Sequence, residues 1–446
     1  MNLVRSIAAV VLGAGLLASV AASAQTLPAT QADHRRTLDA LSIKTLRPGV
    51  DGGDLAAPNA VNYDEAKAGP YSLLPDPLSL PNGKPIADPE DWWRLQRPRL
   101  IDLFASEVHG YVPDRTPAIA WTVVGETRAT RAGVAVVEKR LSGAVDNARA
   151  PSIAVKLDLL LVTPETASKA PVVLELGFPD GAPWMKGRPT PPGPDWRDLV
   201  IARGWAYAIL DPTSVQADNG AGLTSGIIGL VNRGRPRSVD DWGVLRAWAW
   251  GVSRVIDHFE TEPAVDPQRV AIEGMSRYGK AALLAMAYEP RLAVGFIASS
   301  GEGGAKLSRR RRGEQLENVA GVGEYHWMAG NFLRYAGPLS VDDLPVDAHE
   351  LIALAAPRPL FISAGNDKDD AWVDARGMFM ATVAAGPVYR LLGAKDLGVT
   401  AFPPRGTLVA SGDLAFRQHE GGHTAGPNWP YFLEFAARYL EPTKAQ

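Results

Sequence analysis

Short runs of apolar residues recur along this chain, and they alternate with longer segments whose apolar residues return every three or four positions. The short runs are typical of strands buried on both faces of a sheet, and they span residues 171–176, 205–210, 270–272, 293–298 and 360–363. The longer segments predict helices, and they span residues 240–259, 281–288 and 430–440. This alternation predicts an α/β fold, a three-layer sandwich with a mostly parallel central sheet.

The N-terminal part of the chain has different patterns. Residues 118–124, 134–141 and 153–163 alternate or are rich in β-branched side chains, which predicts three further strands. Asp91 to Val108 has helical apolar spacing, and we expect Pro98 to kink this helix or to begin a second one. Residues 25–88 are rich in Pro, Gly, Ala and Asp and have no sustained period. We therefore expect an extended N-terminal arm over 25–88 and one domain over 89–446.

Residues 1–24 have the pattern of an export signal peptide. Arg5 is followed by the apolar run 7–20, and Ala22-Ser23-Ala24 fits the small-residue rule for cleavage. A membrane anchor is the alternative, but the run is short for a span. We expect cleavage before Gln25, no membrane attachment afterwards, and a periplasmic or secreted protein.

Composition limits the partners and cofactors of the chain. Its 446 residues carry a formal net charge of -3 and include no cysteine. Disulfides and thiolate chemistry are therefore excluded, and nothing in the charge balance indicates a nucleic-acid partner. The histidines lack metal-ligand spacing, so we expect no metal and no cofactor. We also expect a monomer.

The stretch Gly274-Met275-Ser276-Arg277-Tyr278-Gly279-Lys280 separates a predicted strand from a predicted helix. A serine in such a tight, glycine-flanked turn is the nucleophile-elbow arrangement of α/β hydrolases, which presents the hydroxyl above the sheet. The alternative is a simple turn in which Ser276 caps the helix. Ser276 is our candidate nucleophile.

An acid and a base are expected later in the chain, in the order that α/β hydrolases use. Three carboxylates, Asp367, Asp369 and Asp370, follow the predicted strand at 360–363. A histidine belongs on a loop before the last helix, and His423 is our choice, with His419 as the alternative. None of these groups needs to be near another in sequence, because the fold brings them together.

The pattern G-x-S-R-x-G-K at Ser276 resembles the signature of the glucuronoyl esterases, carbohydrate esterase family 15. Many members have cysteine where this chain has Met275. The resemblance begins near Asp91 and continues to the C-terminus. Residues 299–310 are similar to the family's S-G-x-G-G-x-x-L-S-R-R block. The resemblance implies an α/β-hydrolase fold over 89–446 with an esterase activity.

The resemblance also implies roles for individual residues. The side chain of Arg277 would join its backbone N–H in binding the oxyanion, while Lys280 and Glu314 would bind sugar hydroxyls. Trp372 would line the sugar pocket. Aligned on that tryptophan, as in bacterial members, the acid is Asp370, with Asp369 as the runner-up.

A further position and one loop also differ from the family pattern. Fungal members carry their acid at the position of Ser299, so this chain must place its acid elsewhere, and Glu302 is a poor substitute by position. The loop 177–184, which follows a buried strand, is assigned one oxyanion N–H, although its sequence is not a close match to the family's loop.

We therefore predict a serine ester hydrolase that cleaves the ester between (4-O-methyl-)glucuronic acid of xylan and lignin alcohols. Its substrate would be glucuronoxylan or another lignin-carbohydrate ester. An esterase for another acylated carbohydrate, such as acetylated xylan, is one alternative. A non-catalytic carbohydrate-binding protein on the same scaffold is the other.

Overall fold

The computed structural model describes residues 13–69, 73–181, 186–187 and 194–441, with side chains from residue 26 onward. Within these residues the strands are Ile119–Arg131 (β1), Val134–Val145 (β2), Lys156–Pro164 (β3), Ala170–Leu176 (β4), Ala206–Leu210 (β5), Val265–Met275 (β6), Leu292–Ala298 (β7), Leu360–Ala364 (β8), Leu408–Val409 (β9) and Leu414–Gln418 (β10).

The described strands form one sheet in the order β1-β2-β3-β5-β4-β6-β7-β8-β10-β9. The strands from β5 to β10 in this order run parallel, while β1, β2, β3 and β9 pair antiparallel with their neighbours. Because parallel strands point the same way, the loops that follow β5, β4, β6, β7, β8 and β10 lie along one edge of the sheet.

The α-helices of the described residues are Gly13–Ala40 (α1), Pro89–Asp91 (α2), Arg97–Phe104 (α3), Trp196–Ala202 (α4), Pro212–Val215 (α5), Gly226–Val231 (α6), Val244–Phe259 (α7), Arg277–Tyr288 (α8), Leu316–Ala320 (α9), Ala348–Ala353 (α10), Ala375–Leu391 (α11) and Trp429–Leu440 (α12). Two π-helical turns, Trp92–Gln96 and Ala105–His109, flank α3. Within the part of the chain that is described, no helix is long and apolar enough to cross a membrane.

Helices cover both faces of the sheet, so the predicted three-layer α/β-hydrolase architecture is confirmed. Successive residues of β4 point to opposite faces: Val172 and Leu174 pack with α7, α8, α10 and α11, whereas Val173 packs with α4 and α12. Both faces are apolar for this reason, which is why the strand has a continuous apolar run rather than an alternating one.

The helices agree with the sequence pattern except at their ends. The helix expected from residue 240 begins at Val244, and Pro98 lies in the first turn of α3, where a missing N–H does no harm. The tryptophans of the long helical segment, Trp242, Trp248 and Trp250, are all buried in the core.

The prediction of an extended arm is wrong for residues 25–40, which belong to helix α1. Hydrogen bonds hold this helix on the domain. The hydroxyl of Tyr325 donates to Oδ2 of Asp33 at 2.9 Å, and His34 Nε2 lies 3.1 Å from the Ala320 carbonyl. Residues 41–69 continue with little regular structure, and Asn62 Nδ2 donates to the Arg311 carbonyl at 2.8 Å. The segment therefore lies on the domain.

Candidate active site

Ser276 occupies a strained turn between β6 and α8. Its φ of 60° and ψ of -128° are rare for a residue with a side chain. The turn is also too tight for larger neighbours, since a Cβ on Gly274 would lie 2.2 Å from the Tyr278 carbonyl oxygen and one on Gly279 would lie 2.8 Å from that of Ala298. The expected strand–turn–helix geometry of a nucleophile elbow is therefore present.

Asp370 and His423 come together although 53 residues separate them. Nδ1 of His423 lies 2.6 Å from Oδ1 of Asp370. A carboxylate only accepts hydrogen bonds, so Nδ1 carries the proton and Nε2 of the neutral imidazole is left able to accept one. The side chain of His423 is 40% exposed, whereas that of Asp370 is 1% exposed.

The second oxygen of Asp370 is also occupied. Its Oδ2 accepts hydrogen bonds from the Ser299 hydroxyl at 2.7 Å and from the Gly365 backbone N–H at 2.6 Å. Ser299, which stands where fungal members of the resembled family carry an acid, thus binds the acid that approaches from the next strand.

The alternative acid and base candidates lie elsewhere. Asp369 is exposed and bonds to the Asn366 amide at 3.2 Å, and Asp367 is exposed as well. His419 is buried, with Nε2 on the Thr424 carbonyl at 2.8 Å and Nδ1 accepting from the Gly421 N–H at 3.0 Å. In the described part of the chain, neither Asp369 nor His419 forms a side-chain hydrogen bond with Asp370 or His423.

Glu302 was judged a poor substitute for the acid of the fungal members because of its position in the sequence. Its side chain is fully buried and makes no contact with the Asp370–His423 pair. Its Oε2 lies 2.9 Å from Nζ of Lys306, and its Oε1 accepts the Ser308 hydroxyl at 2.5 Å. This ion pair belongs to the protein interior.

The side chain of Arg277 extends from the first position of α8 and is 43% exposed. Its Nη1 donates to Oδ2 of Asp218 at 2.6 Å, and its guanidinium carbon lies 5.2 Å from the centre of a Trp327 ring. The backbone N–H groups of this first helical turn have no partner within the helix, and the helix dipole makes their surroundings favourable for negative charge.

Lys280 is buried one helical turn after Ser276. Its ammonium group donates to the carbonyls of Ser300 at 2.8 Å and Glu302 at 2.6 Å and to Oε2 of Glu314 at 3.0 Å. An ammonium group has three N–H donors, so protein acceptors use all of them. Oε2 of Glu314 also accepts the Glu302 N–H at 2.9 Å, whereas its Oε1 accepts no hydrogen bond from the described residues.

Trp372 is partly exposed, and its backbone carbonyl accepts the Glu314 N–H at 2.8 Å. Its ring contacts the N-terminal segment, since a Cβ on Gly52 would lie 2.8 Å from Cζ3 of the indole. The N-terminal segment therefore reaches the edge of the candidate site.

The loop 177–184 is described only in part, because residues 182–185 lie outside the described residues. Gly177 donates to the Leu210 carbonyl at 3.0 Å, and the Phe178 ring meets the Tyr278 ring edge-on at 5.9 Å. The described half of the loop thus packs against α8, the helix that follows Ser276 and is called the elbow helix below.

Two carboxyl groups lie on the sheet just before the elbow. Glu175 and Glu273 are directly paired across β4 and β6, so their side chains share a face. Burial raises the pKa of Glu175 to about 7, and burial with the charge of Glu175 raises the pKa of Glu273 well above its usual range. The pair therefore retains a proton near neutral pH.

Two carboxylates beside the site were missed by the sequence interpretation. Asp218 lies beyond β5 and the short helix α5, and an acidic residue in a segment that follows a buried strand was the available indication. Glu324 precedes the aromatic cluster Tyr325–Trp327, and burial together with the charge of Glu314 raises its pKa to about 7. Among the described residues, no group of three or more His, Asp or Glu side chains has metal-binding geometry.

The sheet order, the elbow serine and the acid–histidine pair after later strands define an α/β hydrolase. Comparison with known proteins then identifies the family. Residues 237–393 match the family model described as "Glucuronyl esterase, fungi". A carbohydrate esterase from an unknown prokaryotic organism is 31% identical over 420 residues, which cover 86% of this chain and 93% of that protein.

Two further relatives identify the family more specifically. The 4-O-methyl-glucuronoyl methylesterase of Schizophyllum commune is 30% identical, over 73% of this chain and 75% of its own. A family 15 glucuronoyl esterase structure from Teredinibacter turnerae superposes with a TM-score of 0.86 at 43% identity and covers 92% of this chain and 99% of its own. This chain belongs to the glucuronoyl esterases of carbohydrate esterase family 15.

The resemblance that the elbow indicated is confirmed. The chain is a carboxylic ester hydrolase of the glucuronoyl esterase class, with a carbohydrate ester as its substrate class. The hypothesis of a non-catalytic carbohydrate-binding protein is not supported, because these relatives are named as esterases.

Glu273→Gln is expected to stabilise the protein at high pH. A carboxyl whose pKa is raised on folding stabilises the folded state at low pH, and that contribution is lost as pH rises through the folded-state pKa. The pair's proton is lost around and above pH 7, so we expect the variant to gain about 1–3 kcal/mol in free energy of unfolding at pH 8.5 and little at pH 5.

Urea unfolding at both pH values measures this difference. Glu126→Gln, on the exposed edge strand β1, is the matched control and should show no pH-dependent gain. An equal effect of Glu273→Gln at both pH values would contradict the interpretation that the Glu175–Glu273 pair retains a proton near neutral pH.

Proposed function

We propose that this protein is an exported serine esterase that cleaves the ester between (4-O-methyl-)glucuronic acid of xylan and lignin alcohols. The observation that carries the proposal is the contact between Asp370 and His423 on loops after β8 and β10, at the sheet edge where Ser276 follows β6. Family membership supports the glucuronate part of the substrate. The leader-like pattern in residues 1–24 supports export.

In the proposed reaction, Nε2 of His423 takes the proton of Ser276 as the hydroxyl oxygen attacks the ester carbonyl carbon. The tetrahedral intermediate then collapses, the bond to the alcohol oxygen breaks, and His423 returns the proton to the leaving alcohol. Water repeats the sequence on the resulting Ser276 ester and releases the uronic acid. Asp370 holds the imidazole in one tautomer and stabilises its charged form.

The oxyanion of each intermediate needs donors that are already in place. In the proposal these are the backbone N–H and the guanidinium group of Arg277. The permanent charge of the guanidinium suits an oxyanion that is partly withdrawn from water.

The sugar is proposed to bind on the side of the elbow helix where Glu314 and Trp372 lie. Oε1 of Glu314 is available to accept from a sugar hydroxyl, and the partly exposed indole of Trp372 offers an apolar face. Lys280 was expected to bind hydroxyls itself, but all three of its N–H donors are on protein acceptors. We therefore assign it the task of holding Glu314 in position.

An esterase that acts on another acylated carbohydrate is the remaining alternative. It would use the same serine, acid and histidine but would have no need of the buried Lys280–Glu314 pair. Two kinds of substrate, a uronate ester and an acetyl ester, therefore distinguish the two activities.

Benzyl glucuronate hydrolysis by the purified protein, beside Ser276→Ala, tests the proposed function. We expect turnover by the parent protein and a loss of at least about 1,000-fold in the variant, because no other group supplies the attacking oxygen. Thermal unfolding of both proteins checks that the variant is folded. Activity on acetyl esters alone would favour the alternative substrate and contradict the glucuronate assignment.

Asp370→Asn should lower kcat by about 10,000-fold, because an amide at this position favours the wrong histidine tautomer. Asp369→Asn makes the same chemical change one residue earlier on the exposed side of the turn, and it should leave kcat within about twofold. Steady-state kinetics on benzyl glucuronate measures both. A large loss in Asp369→Asn with a mild one in Asp370→Asn would reverse the assignment of the acid.

Glu314→Gln should lower kcat/KM for benzyl glucuronate about 10- to 100-fold, since the sugar hydroxyl would then donate to a neutral acceptor instead of a charged one. Hydrolysis of p-nitrophenyl acetate should change by less than about twofold, because that ester has no sugar hydroxyls. Glu262→Gln is the matched control: it breaks a Lys–Glu pair of 2.8 Å with Lys139, on β2. Equal losses on both substrates would argue against a sugar-binding role for Glu314.

A further inference from the structure

The guanidinium group of Arg277 needs a partner if it is to have one position beside the elbow. Arginine has many rotamers, and ordering an exposed one costs conformational entropy. The single side-chain hydrogen bond of Arg277 to a described residue goes to Asp218 at 2.6 Å, which leaves its other N–H groups unused. The guanidinium carbon also lies 5.2 Å from the centre of a Trp327 ring, which is within the range of a cation–π contact.

Asp218 is itself fixed on its other side. Its Oδ1 lies 3.0 Å from Nε2 of His326 and 2.6 Å from the indole N–H of Trp327. Both partners are buried, and they belong to one helical turn, Tyr325–Trp327, that is far from Asp218 in sequence. Two neighbouring side chains thus hold one carboxylate oxygen and leave the second for Arg277.

The charge states of Asp218 and His326 are stable over a wide pH range. Burial alone would raise the pKa of Asp218, but the hydrogen bond from His326 and the charge of Arg277 hold it well below its usual range. Burial lowers the pKa of His326, so the imidazole is neutral and donates from Nε2 to the carboxylate. The carboxylate therefore remains available to the guanidinium wherever the esterase chemistry requires a neutral His423.

We propose that Asp218 is a positioning residue that holds the guanidinium group of Arg277 so that its unused N–H groups face the oxyanion on the Ser276 ester. This inference rests on the oxyanion role of Arg277 in the proposed function. The role is specific to the transition state, since the ester carbonyl oxygen becomes strongly negative only there. Loss of Asp218 should therefore lower kcat and leave KM nearly unchanged.

A double-mutant cycle on benzyl glucuronate tests this proposal. Arg277→Ala should lower kcat about 100- to 1,000-fold, and Asp218→Asn should lower it about 10- to 100-fold with KM within about twofold, because the donor is displaced but not removed. In the Arg277→Ala background, Asp218→Asn should have less than about a twofold further effect. Asp266→Asn is the matched control, because it weakens a 2.8 Å contact with Arg269 at the opposite end of β6.

The outcomes separate this inference from the function on which it rests. Full activity of Asp218→Asn, or an undiminished effect of that change in the Arg277→Ala background, would overturn the positioning role alone. Full activity of Arg277→Ala would overturn the oxyanion role and this inference with it, while Ser276→Ala would still report on the esterase. If thermal unfolding shows that Asp218→Asn does not fold, Trp327→Phe tests the same proposal, because it removes the indole N–H that holds Asp218. This substitution should lower kcat in the protein that retains Arg277 and should not lower it further in Arg277→Ala.

Discussion

A buried carboxylate, that of Asp370, is the group on which the rest of the site depends. A charge taken out of water must be matched by hydrogen bonds, and here the Ser299 hydroxyl, the Gly365 N–H and the His423 imidazole provide them. These partners follow three adjacent strands, β7, β8 and β10. The carboxylate therefore ties together the loops of these strands and gives the imidazole one orientation.

The elbow helix carries two cations, and a distant carboxylate is paired with each. Lys280 is bound to Glu314 in the interior, and Arg277 is bound to Asp218 at the surface of the site. Paired charges suit a substrate that is itself neutral, as a uronate ester is.

The main elements of the fold could be predicted from sequence because each carries a local pattern. Strands buried on both faces are apolar throughout, and the elbow requires glycines at fixed distances from Ser276. Helix α1 was missed because its stability comes from contacts such as that of Asp33 with Tyr325, not from an apolar stripe of its own. The start of the long helix was misjudged for a related reason, since neighbouring loops decide where a helix begins.

The sequence by itself determined the class of fold, the candidate nucleophile and the order in which an acid and a histidine follow it. Only the tertiary structure showed that Asp370, and not Asp369, contacts His423, because adjacent residues in a turn have similar sequence surroundings but point in different directions. It also decided that Lys280 is enclosed and that Asp218 meets Arg277. These are contacts between residues distant along the chain, and local pattern carries no information about which distant side chain will lie within hydrogen-bonding distance.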